Sequence, residues 1–129
     1  MINELTLFKS LEASEERVLD EDSIAVFRLD GSNFSSFTKQ FEKPFSQVFE
    51  RGMDAAARGV IENVFPNHLL TYVGSDEISV VTSQRAVKLL YGARVSKLLS
   101  LSAAHATAGF AGEVAFEKGV PAFDSRVVR

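Results

Sequence analysis

Hydrophobic positions recur with two different periods along this chain, and the switches between them mark out its elements. Ile24-Ala25-Val26-Phe27-Arg28-Leu29-Asp30 reads as a strand, with Ile24, Val26, Arg28 and Asp30 on one face and Ala25, Phe27 and Leu29 on the other. Both faces are largely apolar, which predicts a central place in a sheet. Phe34, Phe37 and Phe41 then punctuate a polar stretch, 32–43, that has no clear period. From Pro44, suited to a first helical turn, Phe45, Val48, Phe49, Gly52, Met53, Ala56 and Val60 recur every three or four residues to about Phe65. Glu50, Arg51, Asp54, Arg58 and Glu62 fall on the opposite, solvated face of that helix. Pro66-Asn67 ends it. Leu69–Val73 and Ile78–Val81 flank Gly74-Ser75 and predict a hairpin turning at that pair, with Asp76 and Glu77 directly after the turn. A second helix is predicted from Arg85 to about Phe110, where Leu90, Val95, Leu98 and Leu101 give way to Ser102, Ala103, Ala106 and Gly109. Such small residues imply close approach to another backbone. Ala122–Val128, after Pro121, reads as a closing strand, and Leu5, Phe8, Leu11 and Val18 predict an amphipathic helix over 3–19, a lid or brace.

The order βαββαβ is that of the split βαβ, ferredoxin-like fold. It predicts an α+β domain over 23–129, an antiparallel sheet with two helices on one face and the other face free for a ligand. The first strand and the hairpin should be neighbours at its centre. Residues 1–22 form an acidic N-terminal helix outside that domain.

Composition narrows the chemistry. At 129 residues and 46% hydrophobic content the chain suits one core. It shows no membrane-length apolar run and no basic-then-apolar leader, so the expectation is a soluble, cytoplasmic protein with no membrane partner. The absence of cysteine excludes disulfides and thiolate metal sites, and two isolated histidines do not suggest zinc. Any metal is therefore a hard cation held by oxygen. The net charge of −3 hides an asymmetry: residues 1–22 carry seven acids against Lys9 and Arg17, net −5, and the remainder ten acids against twelve bases, net +2. A phosphate-rich ligand fits the remainder, although a large RNA favours more positive charge than this.

Acids are disfavoured in strands, so Asp30 at a strand end and Asp76-Glu77 beside a turn ask for a reason. Phosphoryl transfer between nucleotides supplies one, because it needs charge neutralisation, usually by magnesium, and paired ions can stabilise attacking and leaving oxygens together. Asp30 and Asp76 are the candidate bridging ligands and the Gly31 carbonyl a third. Gly31 is expected to adopt a backbone conformation closed to other residues. Glu77, on the opposite side of a regular strand from Asp76, is expected to support them. Lys43, at a helix start, either grips a phosphate or stands solvated. Arg94 and Lys97, three apart on an otherwise apolar helix, imply a phosphate or carboxylate partner. Arg28 shares a face with Asp30 and is expected to pair with Asp76 or meet a phosphate. Ser75, His68 and His105 read as structural.

Phe27-Arg28-Leu29-Asp30-Gly31, Asn33-Phe34, Phe37-Thr38, Lys43-Pro44-Phe45, Ser75-Asp76-Glu77, Ser96-Lys97-Leu98 and Phe123-Asp124-Ser125-Arg126-Val127, in that order, resemble the histidine-tRNA guanylyltransferase family. The likeness is strongest to its bacterial and archaeal guanylyltransferase-like branch of 3′-to-5′ RNA polymerases. The resemblance implies a polymerase-type palm in which Asp30, Asp76 and Glu77 are catalytic and Asp30, Gly31 and Asp76 hold two magnesium ions. It implies that Gly31, Ser32, Asn33, Phe34, Lys43, Ser75, Arg94 and Lys97 contact nucleotide. The implied activity is a magnesium-dependent nucleotidyltransferase that adds nucleotides, from GTP or ATP, to the 5′ end of an RNA such as tRNA. A nucleotide cyclase or dinucleotide synthase on the same palm, and a non-catalytic nucleotide-binding module, are the alternatives. A small palm with an exposed sheet is also expected to associate as a dimer or tetramer. Three departures stand out: Ser32 replaces a basic residue, Ser35 a histidine, and Ser125 a Gly or Ala. Family proteins also continue beyond the final strand, so the chain reads as a palm half or a minimal relative.

Overall fold

A computed structural model of the chain describes residues 3–15, 24–41, 46–83 and 94–128. Its elements run α1 (Glu4–Glu15), β1 (Ile24–Gly31), α2 (Phe34–Phe37), a 3-10 turn (Thr38–Gln40), α3 (Gln47–Asn63), β2 (Leu70–Gly74), β3 (Glu77–Ser83), α4 (Val95–Glu113) and β4 (Phe123–Val128). The strands form one antiparallel sheet in the order β2-β3-β1-β4, the expected ferredoxin-like arrangement with β1 inside.

α3 and α4 cover one face. Against them β1 buries Ala25, Phe27 and Leu29, and β3 buries Ile78 and Val80, all at 0% exposure. α4 answers with Val95, Leu98, Ser102, Ala106 and Phe110, and α3 with Met53, Ala56, Ala57 and Val60, both at three- and four-residue steps. Where the helices cross, a Cβ on Gly109 would stand 2.5 Å from the Ala55 carbonyl oxygen, and one on Gly59 2.8 Å from that of His105. This is the close approach that the small residues of α4 imply. Ser102 is the polar residue of that buried stripe; its hydroxyl is bonded to the Leu99 carbonyl and, at 2.9 Å, to Ser125 Oγ. The pairing accounts for a serine at 125.

Below the C-terminal end of β1 the phenylalanines gather. Phe34 lies within 5.1–6.0 Å, ring centre to ring centre, of Phe37, Phe49, Phe110 and Phe123, and Phe37 extends the cluster to Phe41 and Phe116. Tilted and edge-on rings of this kind add to the energy of burying their area. The described part of the unperiodic stretch, 32–41, thus forms a short helix and a 3-10 turn, too brief for a helical period to show, and its aromatic residues anchor it.

Several expectations shift. The hairpin turns at Ser75-Asp76, not Gly74-Ser75, because Gly74 pairs with Glu77 and Ser75 takes the left-handed conformation, φ 51°. Gly31 has no positive φ; it must be glycine because a Cβ there would overlap the Phe34 ring. α3 starts at Gln47, with the Ser46 hydroxyl accepting from Phe49 N at 3.1 Å, and Val48 is 40% exposed rather than on the apolar face. The predicted helix starts at Pro44 and Arg85 lie outside the described residues; α4 is described from Val95 and continues past Phe110 to Glu113. α1 leaves Leu5, Phe8 and Leu11 at 54–62% exposure, so its apolar stripe does not brace the described core.

Candidate functional site

The uncovered face of the sheet is ordered in rows, because pairing in register carries alternate residues of all four strands to one side. One row is apolar: Leu70, Val81, Val26, Val128. The next is Tyr72, Ser79, Arg28, Arg126, and the last, at the rim, is Gly74, Glu77, Asp30, Asp124. Cation and anion rows thus lie side by side.

The rim is closed by one backbone bond. Gly31 N donates to the Asp76 carbonyl at 3.0 Å, which holds the β2–β3 turn against the end of β1. Since Gly31 and Asp76 form a hydrogen-bonded pair, the preceding pair, Asp30 and Glu77, is of the other kind, in which opposed Cα atoms approach to about 4.5 Å. Two carboxylates so placed repel. Arginines from the next row offset this: Arg28 Nε donates to Glu77 Oε1 at 2.7 Å, with a second bond from its terminal nitrogen, and Arg126 lies 3.6 Å from Asp30 Oδ2.

Asp76 sits in the turn itself, not in a strand, which removes the propensity cost that singled it out. Glu77 shares Asp30's face and ties down Arg28, so the expected Arg28–Asp76 pairing gives way to Arg28–Glu77. The two non-glycine residues with left-handed backbone among the described residues are Asn33, φ 57°, just after Gly31, and Ser75, just before Asp76. Such strained positions gather at functional sites.

The backbone of Asp76 is therefore held against Gly31, next in the chain to Asp30, and the carboxylate and carbonyl oxygens of these residues are donors of the kind a hard cation takes. No group of three His, Cys, Asp or Glu side chains able to hold a metal occurs among the described residues. Magnesium does not require one, since it takes one or two protein carboxylates and completes its shell with water and substrate phosphate.

The remaining candidates divide between two hollows and the far end of the fold. Ser75 lines a cavity of about 510 Å³ together with Ser46, Phe49, Glu50 and Met53, at the N-terminus of α3. Ser32 and Asn33 line a separate cleft of about 840 Å³ on the β4 side. Phe34 is 1% exposed; its ring packs in the core under Gly31. Lys43 lies outside the described residues. Arg94 and Lys97 are exposed, at the start of α4. Thr107 Oγ1 accepts from Phe123 N, and Ser102 meets Ser125, so α4 runs toward the rim. At 1.5 Å per residue, Lys97 stands about 15 Å and Arg94 about 20 Å back from the level of Thr107. Within one chain the fold does not bring them to Asp30. His68 Nδ1 lies 3.0 Å from the Phe65 carbonyl, a local turn contact in keeping with a structural role.

Sequence reasoning missed Asp124 as a member of the rim and Arg126 in the row beside it. The signal was present in the alternation of β4, where Phe123 is buried and Asp124 therefore faces outward. What was lacking was the register that sets Asp124 opposite Asp30.

Among the described residues no helix is long and apolar enough to cross a membrane. Residues 5–129 match the tRNAHis guanylyltransferase (Thg1) family. A bacterial tRNA(His) guanylyltransferase (Thg1)-like protein in complex with GTP superimposes with a TM-score of 0.82 at 29% identity, covering 95% of this chain and 60% of its own. One in complex with ATP gives 0.84 at 26% identity, covering 98% and 58%. The tRNA(His) guanylyltransferase of Saccharomyces cerevisiae gives 0.77 at 26%, covering 94% and 57%. An uncharacterized protein, R259, of Acanthamoeba polyphaga mimivirus is 29% identical over 111 residues, 79% of this chain and 37% of that protein. The chain thus spans about 60% or less of the length of these relatives. With a match over nearly its whole length, it belongs to the tRNAHis guanylyltransferase family.

Proposed function

We propose that the chain carries the palm of a magnesium-dependent nucleotidyltransferase that extends the 5′ end of an RNA, tRNA included, in the 3′-to-5′ direction, as a cytoplasmic homo-oligomer. The observation that carries this reading is the junction of Asp30, Gly31 and Asp76 through the Gly31–Asp76 backbone bond. The Asp30 and Asp76 carboxylates and the Gly31 carbonyl are the groups that would hold magnesium, which when bound neutralises triphosphate charge. The nucleotide, GTP or ATP as in the bacterial relatives, lies with its phosphates at this rim, and Ser75 and the amide-bearing start of α3 face it from the adjoining cavity. Lys43, from the family resemblance, is a further candidate phosphate contact. Arg28 on Glu77 and Arg126 beside Asp30 offset the negative charge gathered at the rim, and the phenylalanine cluster beneath Gly31 keeps the rim rigid. The 3′-hydroxyl of the incoming nucleotide attacks the activated 5′ phosphorus of the RNA. The bond from that phosphorus to the oxygen of the leaving pyrophosphate breaks as the new O–P bond forms, and the hydroxyl proton passes to solvent.

The test is incubation of the full chain with magnesium, labelled GTP and a 5′-triphosphorylated tRNA lacking its first nucleotide. Label joined to RNA is the expected outcome. A cyclic or dinucleotide product replaces the reading with a cyclase, and bound but unchanged GTP with a binding module. Asp30→Ala and Asp76→Ala each abolish magnesium-dependent GTP binding while the circular dichroism spectrum stays that of the parent; normal GTP binding by either variant refutes the assignment.

A further inference from the structure

The open face carries one large ring that takes no part in phosphoryl transfer. Tyr72 is 65% exposed, although it stands in the middle of β2, opposite Ser79. Exposure alone says little, but the direction of this side chain says more. Side chains in a strand lean along it, and Tyr72 leans toward the rim. A Cβ built on Gly74, two residues on and on the same face, would stand 2.7 Å from the Tyr72 hydroxyl oxygen and 2.8 Å from its Cε1. The ring thus fills the space that a side chain at 74 would take. Gly74 pairs with Glu77, and Glu77 with Asp30, so the ring ends in the acidic row beside the Ser75-Asp76 turn. Gly74 has no positive φ; its lack of a side chain serves the ring and not the backbone.

We propose that Tyr72, aimed by the room left at Gly74, is the platform on which a nucleobase stacks while phosphates occupy the rim. The inference rests on the reading of Asp30 and Asp76 as the reacting rim. Across the sheet nothing bulky crowds the ring: Ser79 is small, and Arg28 beyond it is held on Glu77. At the far end of the same row Arg126 is 60% exposed. The row therefore offers an aromatic surface at one end and a cation at the other, the two kinds of group that meet bases and phosphates. Both reactants, the RNA 5′ end and the nucleoside triphosphate, join a base to a phosphate. Every base has a face that stacks on a ring, so the platform tolerates any sequence.

The experiment uses the full chain and two pairs of probes, each with and without a base. GTP is compared with inorganic triphosphate, both with magnesium, by calorimetry. A short 5′-triphosphorylated single-stranded RNA is compared with the same RNA carrying an abasic first nucleotide, by fluorescence anisotropy. Tyr72→Ala is expected to weaken GTP or the intact RNA about tenfold, the loss identifying which reactant the ring holds, and to leave both base-free probes unchanged. Tyr72→Phe keeps the affinity of the parent. Gly74→Ala, whose methyl turns the ring aside, reproduces the loss, and Tyr72→Ala/Gly74→Ala binds no more weakly than Tyr72→Ala alone. Parent-like affinity of Tyr72→Ala for both GTP and the intact RNA overturns the proposal. So does an equal loss for probes with and without the base, which marks a structural role, or a loss in Tyr72→Phe equal to that in Tyr72→Ala, which assigns the contact to the hydroxyl. Failure of the rim assignment shows separately, as magnesium-dependent GTP binding that survives Asp30→Ala.

Discussion

The two faces of the sheet are made by alternate residues of the same strands, yet they obey different rules. On the helix-covered face each position of β1 is apolar and fully buried, packed by α3, α4 and the phenylalanine cluster. On the open face the same strand passes from Val26 in an apolar row, through Arg28 in a cationic row, to Asp30 in an acidic one. The buried core therefore lies on one side and the candidate site on the other, and the proposed function predicts that a substitution can alter either alone. The two meet at Gly31, where the Phe34 ring from the covered side presses against the backbone that joins Asp30 to Asp76.

Truncation on the covered face should have the largest effect on stability. Phe110→Ala removes a fully buried ring shared by Phe34, Phe37, Phe49 and Phe123, and urea unfolding should show a loss of about 3–5 kcal/mol. A loss below about 1 kcal/mol would mean that the cluster does not hold the rim. At the meeting point, Gly31→Ala should cost about 1–3 kcal/mol, because the added methyl overlaps a ring with no free space beside it. The same change in a Phe34→Leu background should cost less; equal costs would point to backbone conformation and not to the ring. On the open face, Arg28→Ala should cost at most about 1 kcal/mol, less in high salt, since the Arg28–Glu77 pair is 38% and 29% exposed. A salt-independent cost well above this would show that the pair is structural, erasing the distinction between the faces.

Much of this division is legible in the order of residues alone. Period-two alternation assigns Ala25, Phe27 and Leu29 to one side of β1 and Arg28 and Asp30 to the other. The small residues of the second long helix announce its packing on the first, and acids standing in strand-like surroundings mark Asp30, Asp76 and Glu77. Other features are not legible. Gly74 looks like the turn residue, but strand register puts Ser75 and Asp76 there instead. Gly31 looks like a conformational glycine and is a steric one, because the ring that excludes a side chain comes from Phe34, which only the fold of 32–40 brings back onto the strand. Arg94 and Lys97 look like partners for a phosphate or a carboxylate, but the direction of α4 sets them well back from Asp30.

The sequence by itself determined the elements, their order and the alternation of each strand, since these depend on propensity and period over a few neighbouring residues. Only the tertiary structure decided which residues of different strands stand opposite one another: Glu77 and Asp124 beside Asp30, and Arg28 on Glu77. Those pairings follow from register and from the packing of helices on the sheet. Both are set by contacts between residues far apart in the chain, about which local pattern carries no information.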